Sequence, residues 1–436
     1  GVALRLAPAS TPGPVGLSAA QGRVAAAVEQ VARGHARRPL VLTADRGRGK
    51  STLLGVSAAR LLRQGLARVT VVAPGRAAAA TLYRHARMSA GMPADGGIPA
   101  ELPIGSGRLC FRLPAEWRPS DGEASSLVLV DEAAAIPVAQ LVRLLRSANR
   151  LVFASTVHGY EGSGRGFELR FRAALDRDMP QWRAMRLNEP VRWAVDDPLE
   201  DLMNRSLLLD AELGGPGDAV SPSVERVDIN KLAHDEPRLR AVIALLVNAH
   251  YQTRPSDLRQ LLDNPDGELW LACAGTDVIG VLLGLREGGF DAAMAGQVLA
   301  ARRRPRGHLL PQSLAVHAGL DDCLRQRVLR VQRIAVHPQR RREGVATRLL
   351  DAVGIWAADN EIDLLGCAFG VELPLLAFWK RVGMRAVRLG LRVDPASATH
   401  SLFMLRAISA RGQALHDDAV RRFQADLPWA LAAGFR

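Results

Sequence analysis

Lysine is nearly missing from this chain: of 57 basic residues among 436, only Lys50, Lys231 and Lys380 are not arginine. Cysteine is scarce as well. Cys110, Cys273, Cys323 and Cys367 stand far apart, with no C-x-x-C pair and no histidine cluster beside them, which argues against a disulfide framework and a zinc site. No run of about 18 apolar residues occurs, so no transmembrane helix is expected. The start, Gly1-Val2-Ala3, lacks an initiator methionine and the charged-then-apolar layout of a secretion signal. The sequence therefore reads as cytoplasmic. What is present is a folded composition, 48% hydrophobic and 23% charged, in a length that suits two or three domains. A formal charge of +13 points to a polyanionic partner, because arginines that neutralise phosphates release counterions. A coding bias toward arginine accounts for part of that excess.

Residues 1–16, rich in Pro, Gly and Ala, read as a linker or tail. A helix is expected from Ser18 to Val31, capped by Ser18 with Gln21 in its first turn. The strand Arg38–Thr43 runs directly into Ala44-Asp45-Arg46-Gly47-Arg48-Gly49-Lys50-Ser51, an A-x-x-G-x-G-K-S variant of the P-loop. Its glycines let backbone wrap a β-phosphate, Lys50 sets a compact charge on the β/γ oxygens, and Ser51 offers a hydroxyl to magnesium. In a chain built on arginine, lysine stands where a forked guanidinium would not fit. A second strand, Arg68 to Pro74, follows. Leu127-Val128-Leu129-Val130 then delivers Asp131 and Glu132, the first for magnesium and the second to position a hydrolytic water. The strand Leu151–Thr156 leads into a Gly-rich loop, Val157 to Phe167, placed where helicases couple the γ-phosphate to a strand. After a further strand, Trp182–Leu187, Arg192 is a candidate arginine finger or, equally, a salt-bridged structural residue. Strands alternating with helices make residues 17–210 a RecA-like parallel α/β module.

Residues 211–223 break the periodicity with Gly and Pro and read as a linker. The second half, 224–409, begins with a strand (Val224–Ile229) and two helices (Pro237–His250, Ser256–Leu262). A hairpin follows, Glu268–Ala274 and Val278–Arg286 around a Gly275-Thr276-Asp277 turn. Next comes an apolar strand, Val328–Val336, ended by Pro338 and a basic loop before a helix opened by Gly344 and Ala346. Small residues there would let unsatisfied helix N–H groups approach a phosphate, which the helix dipole also favours. A strand (Ile362–Val371), a helix (Pro374–Arg381) and two strands (Ala386–Val393, His400–Ile408) complete this half, with 410–436 as a short tail. An insertion at 289–327 carries Arg302, Arg303, Arg304 and Arg306, read as contacts to RNA phosphates.

The segment Arg341-x-x-Gly344-x-Ala346 resembles the acetyl-CoA loop of GNAT N-acetyltransferases. A helicase-like P-loop module joined to a GNAT domain resembles the bacterial tRNA(Met) cytidine acetyltransferases, with the broader RNA cytidine acetyltransferases as relatives. The motifs A-D-R-G-R-G-K-S, D-E-A-A-A-I-P, H-G-Y-E-G-S-G-R-G-F, R-R-P-R-G-H-L-L-P-Q and R-I-A-V-H-P carry the likeness. It implies an α/β RecA-like module followed by a GNAT-fold domain. It also implies transfer of acetyl from acetyl-CoA to the exocyclic amine of the wobble cytidine of elongator tRNA(Met), driven by ATP or GTP with Mg2+. Nucleotide contacts are implied for Gln21, Asp45, Arg46, Gly47, Arg48, Gly49, Lys50, Ser51, Thr52, Leu53, Leu54 and Arg192. Acetyl-CoA contacts are implied for Ile334, Ala335, Val336, Arg341, Arg342, Glu343, Gly344, Val345, Ala346, Thr347 and Arg381. Family members usually carry a further N-terminal domain and a longer tail, so the chain reads as a short form.

A cytidine amine is a poor nucleophile, and its acetylation needs orientation and removal of a proton. Backbone N–H groups near Val336 would polarise the thioester carbonyl. His337 and Glu372 are the candidate bases. Two other readings stay open: a protein or small-molecule acetyltransferase with a regulatory ATPase, and a nucleic-acid motor whose GNAT half only binds.

Overall fold

A computed structural model of the protein describes residues 17–118, 126–156, 164–217, 221–249, 255–394 and 399–432. The chain divides at Asp210/Ala211 into two compact units.

The first unit is built on β1 (Leu40–Ala44), β2 (Arg68–Val72), β3 (Glu101–Ile104), β4 (Gly107–Arg112), β5 (Ser126–Val130), β6 (Leu151–Thr156) and β7 (Arg183–Leu187), in the order β3-β4-β2-β5-β6-β1-β7. Every pairing is parallel except β3 with β4. A parallel sheet is covered on both faces, which is why β5 and β6 are mostly apolar and are buried along their whole length. Alternation sorts the side chains. Leu127 and Leu129 face the cluster of α1 (Ala19–Arg33), α2 (Lys50–Arg63) and α3 (Arg76–Ser89), whereas Val128 and Val130 face α4 (Val138–Ser147) and α5 (Gly164–Asp178). Helix α1 begins with a reciprocal capping box between Ser18 and Gln21. The β3–β4 hairpin was not expected. Its strands are short, although Leu102 and Ile104 alternate with exposed Glu101 and Pro103. A last helix, α6 (Pro198–Ser206), is capped by Asp197.

The second unit holds β8 (Ser223–Val227), β9 (Gly267–Ala274), β10 (Asp277–Gly288), β11 (Arg327–Val336), β12 (Leu364–Gly370), β13 (Arg385–Asp394) and β14 (Thr399–Ala407), ordered β13-β14-β12-β11-β10-β9-β8. Only β11 and β12 run parallel. Helices α12 (Val345–Asp359) and α13 (Leu373–Arg381) cover one face, with Val345, Leu349, Val353 and Trp379 in its core. On the other face α8 (Glu236–Ala249) packs on β10 and β11, and α11 (Leu309–Ala318) and α14 (Ala410–Ala432) share a cluster with Val387 and Phe403. Short α7 (Ile229–Leu232), α9 (Pro255–Asp263) and α10 (Ala292–Leu299) complete the unit.

Several expectations need correction. The strand expected to reach Ile229 stops at Val227, because the Asp228 side chain caps α7. The hairpin turn is two residues, Gly275 and Thr276, since Asp277 already pairs with Ala274. The segment 289–327 is no simple loop: α11 inserts Leu310 against Gly366, where a Cβ would meet it at 2.4 Å. Buried Glu287 anchors that helix, accepting from Leu310 N–H at 2.8 Å and from Arg330 Nε at 2.6 Å. Residues 410–432, expected as a tail, form α14. Ser409 caps it and donates to Asp363, whose other oxygen accepts from the first N–H of β11. The expected linker or tail at 1–16 and residues 157–163 of the Gly-rich loop lie outside the described residues.

Candidate functional sites

In the first unit, the ends of β5, β6 and β1 lie side by side at the carboxyl edge of the sheet, where open α/β folds bind ligands. The P-loop follows β1. Gly49 caps α2 at φ +78°, a conformation that leaves the first N–H groups of the helix without a side-chain cap. The loop closes around Lys50, whose Nζ donates to the carbonyls of Ala44 (3.3 Å) and Asp45 (3.4 Å). Ser51 and Thr52 are partly exposed at the start of the helix. Leu53 and Leu54 are core residues, so only their backbone can face a ligand. Asp45 faces Arg186 at 3.8 Å.

Two side chains expected at the nucleotide brace the loop. Gln21, buried, donates its amide to the Arg48 carbonyl at 3.2 Å. Arg48 turns away from the loop axis, donating to the carbonyls of Arg46 and Asn188 and to both carboxylate oxygens of Glu200. Trp193 stacks over Gly47, where a Cβ would lie 2.5 Å from its ring, and its indole N–H donates to Glu200 at 2.6 Å. Val191 N–H donates to the Gly47 carbonyl. Arg192 is thus held between two residues fastened to the P-loop, with its own side chain exposed. The segment's contribution was not visible in the sequence, since Arg48 and Glu200 are 152 positions apart.

Asp131 is fully buried just beyond β5. Glu132 adopts φ +51°, a left-handed conformation that costs a non-glycine residue and recurs at functional positions. Its carboxylate accepts the Thr156 hydroxyl at 3.2 Å from the end of β6. Thr156 was read only as the end of a strand.

In the second unit, β11 and β12 pair from Val328/Leu364 to Val331/Cys367 and then part. Beyond that point β11 continues along β10 and β12 along β14. A bulge at Gln332 marks the divergence, since Leu283 pairs with Arg333 but Gly284 with Val331. His337 N–H bonds to the Ile279 carbonyl on β10. By alternation Ala335 also faces β10, which leaves the N–H groups of Ile334 and Val336 toward the gap. Ala335 is buried and its backbone groups are spent on β10, so it offers nothing to the gap.

After the strand, Arg342 (φ +68°) and Gly344 (φ +80°) curl the loop, and Gly344 caps α12 with no side-chain acceptor. Successive N–H groups in such a turn form an anion nest. Val345 is buried beneath it, while Arg341, Arg342, Glu343 and Thr347 are exposed and Ala346 half-buried. Arg340 does not join the exposed pair: it is buried, donating to Glu343 at 2.6 Å and to the Pro216 carbonyl.

His337 is turned inward. Gln339 N–H donates to its Nδ1 at 3.3 Å, so Nε2 carries the proton that meets the Gly214 carbonyl at 3.2 Å. Nδ1 thus serves the turn, and Nε2 ties it to the backbone at Gly214. Glu372 caps α13 through its backbone at the mouth of the β11–β12 gap, with its carboxylate exposed. Arg381 is exposed at the far end of α13, about 13 Å along the helix. Arg302, Arg303, Arg304 and Arg306 are all exposed between α10 and α11.

A P-loop unit with a Walker B pair and a separate unit with parted parallel strands above a helix N-terminus define a nucleotide-binding module in series with a GNAT-type module. Residues 41–210 match the helicase domain of the RNA cytidine acetyltransferases NAT10/TcmA, and residues 241–358 match GNAT acetyltransferase 2. The chain is thus similar to the RNA cytidine acetyltransferases over its first unit and to a GNAT acetyltransferase within its second. It is 42% identical over 426 residues to the tRNA(Met) cytidine acetyltransferase TmcA of Nitrosococcus halophilus, covering 95% of this chain and 56% of that protein. The protein of the same description from Vibrio cholerae is 40% identical over 86% of this chain and 53% of its own length. That from Haloferax volcanii is 37% identical over 87% and 51%. The chain spans about half the length of these curated relatives.

Proposed function

We propose that this chain acetylates the exocyclic N4 amine of cytidine in RNA, with acetyl-CoA as donor and nucleotide hydrolysis in the first unit. The observation that carries the reading is the parting of β11 from β12 beside the uncapped N-terminus of α12, in a chain whose other unit holds a P-loop. The elongator tRNA(Met) wobble position is the favoured acceptor, by likeness to relatives described as tRNA(Met) cytidine acetyltransferases. A tRNA substrate puts the reaction in the cytoplasm.

In this reading the N–H groups of Arg341–Ala346 and the Arg341 and Arg342 guanidiniums take the donor's pyrophosphate. The N–H groups of Ile334 and Val336 take its acyl arm. The cytidine nitrogen attacks the thioester carbonyl, a donor from the open stretch of β11 meets the developing oxyanion, and the C–S bond breaks to release CoA thiolate. The amine proton passes to Glu372 or to water, since His337 has its nitrogens on backbone partners. In the first unit, Lys50 and the loop N–H groups bind the β- and γ-phosphates of ATP or GTP. Ser51 and buried Asp131 suit an oxygen-ligated Mg2+, which would neutralise the triphosphate. Glu132, oriented by Thr156, positions the attacking water, and Arg192 reaches the γ-phosphate.

The test is incubation of the chain with acetyl-labelled CoA, ATP and bulk tRNA, followed by digestion to nucleosides. Labelled N4-acetylcytidine is expected. Nucleotide hydrolysis without acetylcytidine would refute the reading, and label on protein lysines alone would favour a protein acetyltransferase.

A further inference from the structure

The parallel strands of the first sheet all start at one edge, opposite the edge that carries the P-loop, and arginines gather there. Arg108 on β4 pairs with Arg68 on β2. Arg150 immediately precedes β6, and Arg37 and Arg38 precede β1, with Arg37 N–H bonded to the Asn149 carbonyl. Arg183 opens β7 opposite Leu40. In sheet order these positions run from β4 to β7, five strand spacings or about 24 Å.

Part of this charge is spent locally. Helices of a parallel α/β unit end at this edge, where cationic side chains meet their last carbonyls. Arg37 donates to the Asp178 carbonyl, Arg150 to that of Gly34 and Arg63 to that of Ser89, each at the end of a helix. Arg108 is paired with Glu101 at 3.1 Å.

Arg33, Arg38 and Arg183 are placed differently. All three are exposed, and they line one cleft of about 840 Å³ between the end of α1 and the starts of β1 and β7. Arg38 Nε donates to the Gln181 amide oxygen at 2.5 Å, and Arg183 donates to that of Gln30 at 3.1 Å. Amide oxygens aim a guanidinium without neutralising it. Arg33 donates to the Gln64 amide at 2.6 Å and has its Nε 3.4 Å from Glu29. Among the described residues, Glu29 is the one carboxylate lining this cleft. A hollow with three guanidiniums against one carboxylate carries a positive potential, and the row that continues from it is longer than a small anion needs.

We propose that this edge of the first unit is a track for RNA backbone, with Arg33, Arg38 and Arg183 seating phosphates in the cleft at its end. This deepens the RNA acetyltransferase reading and rests on it for the identity of the polyanion. The experiment is fluorescence-anisotropy titration of the full chain with labelled bulk tRNA over a salt series. It compares the parent, Arg38→Gln, Arg183→Gln and the control Arg259→Gln, whose exposed arginine pairs with Asp263 on α9. Each cleft substitution should weaken binding about three- to tenfold near physiological salt and flatten the plot of log affinity against log salt by about 0.7–0.9 unit, one phosphate contact. The control should match the parent. ATP hydrolysis without RNA should be unchanged in both cleft variants, because the cleft and Lys50 are at opposite ends of β1. Circular dichroism separates misfolding from lost contact, and either cleft variant carries the test if the other fails to fold. Unchanged slopes in both cleft variants, an equal flattening in the control, or no tRNA binding by the parent overturns the track. If the slopes flatten as expected in a chain that forms no acetylcytidine, the track stands and the catalytic reading falls. If acetylcytidine forms and the slopes do not move, the reverse holds.

Discussion

Glu200 grips Arg48 with both carboxylate oxygens, at 2.7 and 3.3 Å, and so turns the P-loop's second arginine away from the phosphate cradle and onto α6. Arg48 is 8% exposed, so its charge is largely withdrawn from water and depends on that partner. Replacing Glu200 with Gln keeps one acceptor and removes the charge. We expect a lower melting temperature, corresponding to about 1–3 kcal/mol, and a several-fold rise in KM for the nucleotide with kcat less affected. Thermal denaturation and steady-state hydrolysis together check it, and an unchanged KM would show that the grip does not set the loop.

The Thr156 hydroxyl orients Glu132 from the neighbouring strand. Thr156→Val removes the donor with little change of volume, so hydrolysis should fall roughly fivefold while nucleotide affinity holds, one hydrogen bond being worth about 1 kcal/mol. Glu132→Gln should reduce hydrolysis much further. Single-turnover measurements separate the chemical step from binding.

Gly47 and Gly344 both have positive φ, yet alanine should act differently at the two. At Gly344 an added Cβ meets nothing within 4 Å, so the cost is conformational, about 1–2 kcal/mol. At Gly47 the same atom strikes the Trp193 ring at 2.5 Å and must push that side chain off the loop. Gly47→Ala should therefore impair nucleotide binding beyond its effect on stability, and Gly344→Ala should weaken acetyl-CoA binding only modestly. Calorimetric titrations of each ligand measure both.

Glu287 has a fully buried side chain and serves Arg330 and the start of α11 together. Glu287→Ala leaves a guanidinium and a helix N–H without their acceptor, and urea denaturation should register a loss of about 3–5 kcal/mol. Glu287→Gln, which can still accept from Leu310, should lose less.

All four cysteines are buried, and burial pushes the thiols of Cys323 and Cys367 well above their ordinary range. A raised thiol pKa leaves almost no thiolate at neutral pH. Folded protein should resist a thiol-reactive dye, and labelling should track the unfolding transition in denaturant. Rapid labelling of native protein would contradict this arrangement.

The legible parts of the molecule were those written in adjacent residues. Leu127 to Val130 followed by Asp131 and Glu132 declares a buried strand that delivers carboxylates, and β6 spans the residues its apolar run suggested. Strand neighbours were not legible, so nothing in the sequence joined Thr156 to Glu132. Nor did any local signal tie Glu200 and Trp193 to the P-loop. Helix α14 was missed for another reason: its burial depends on Asp363, whose backbone carbonyl comes so near Gly412 that a Cβ would lie 2.0 Å away. His337 shows the converse, a residue type that suggested chemistry while its ring nitrogens meet backbone partners.

The parting of β11 from β12 gives the second sheet four rims where an ordinary open sheet has two. The inner pair is lined by backbone from Gln332 to Val336 on one side and from Ala368 to Gly370 on the other, in the middle of the sheet. An unpaired rim is normally a hazard, because any extended chain can zip onto it. Here it is recessed between two strands of the same sheet, so the shape that exposes the backbone also limits what can reach it.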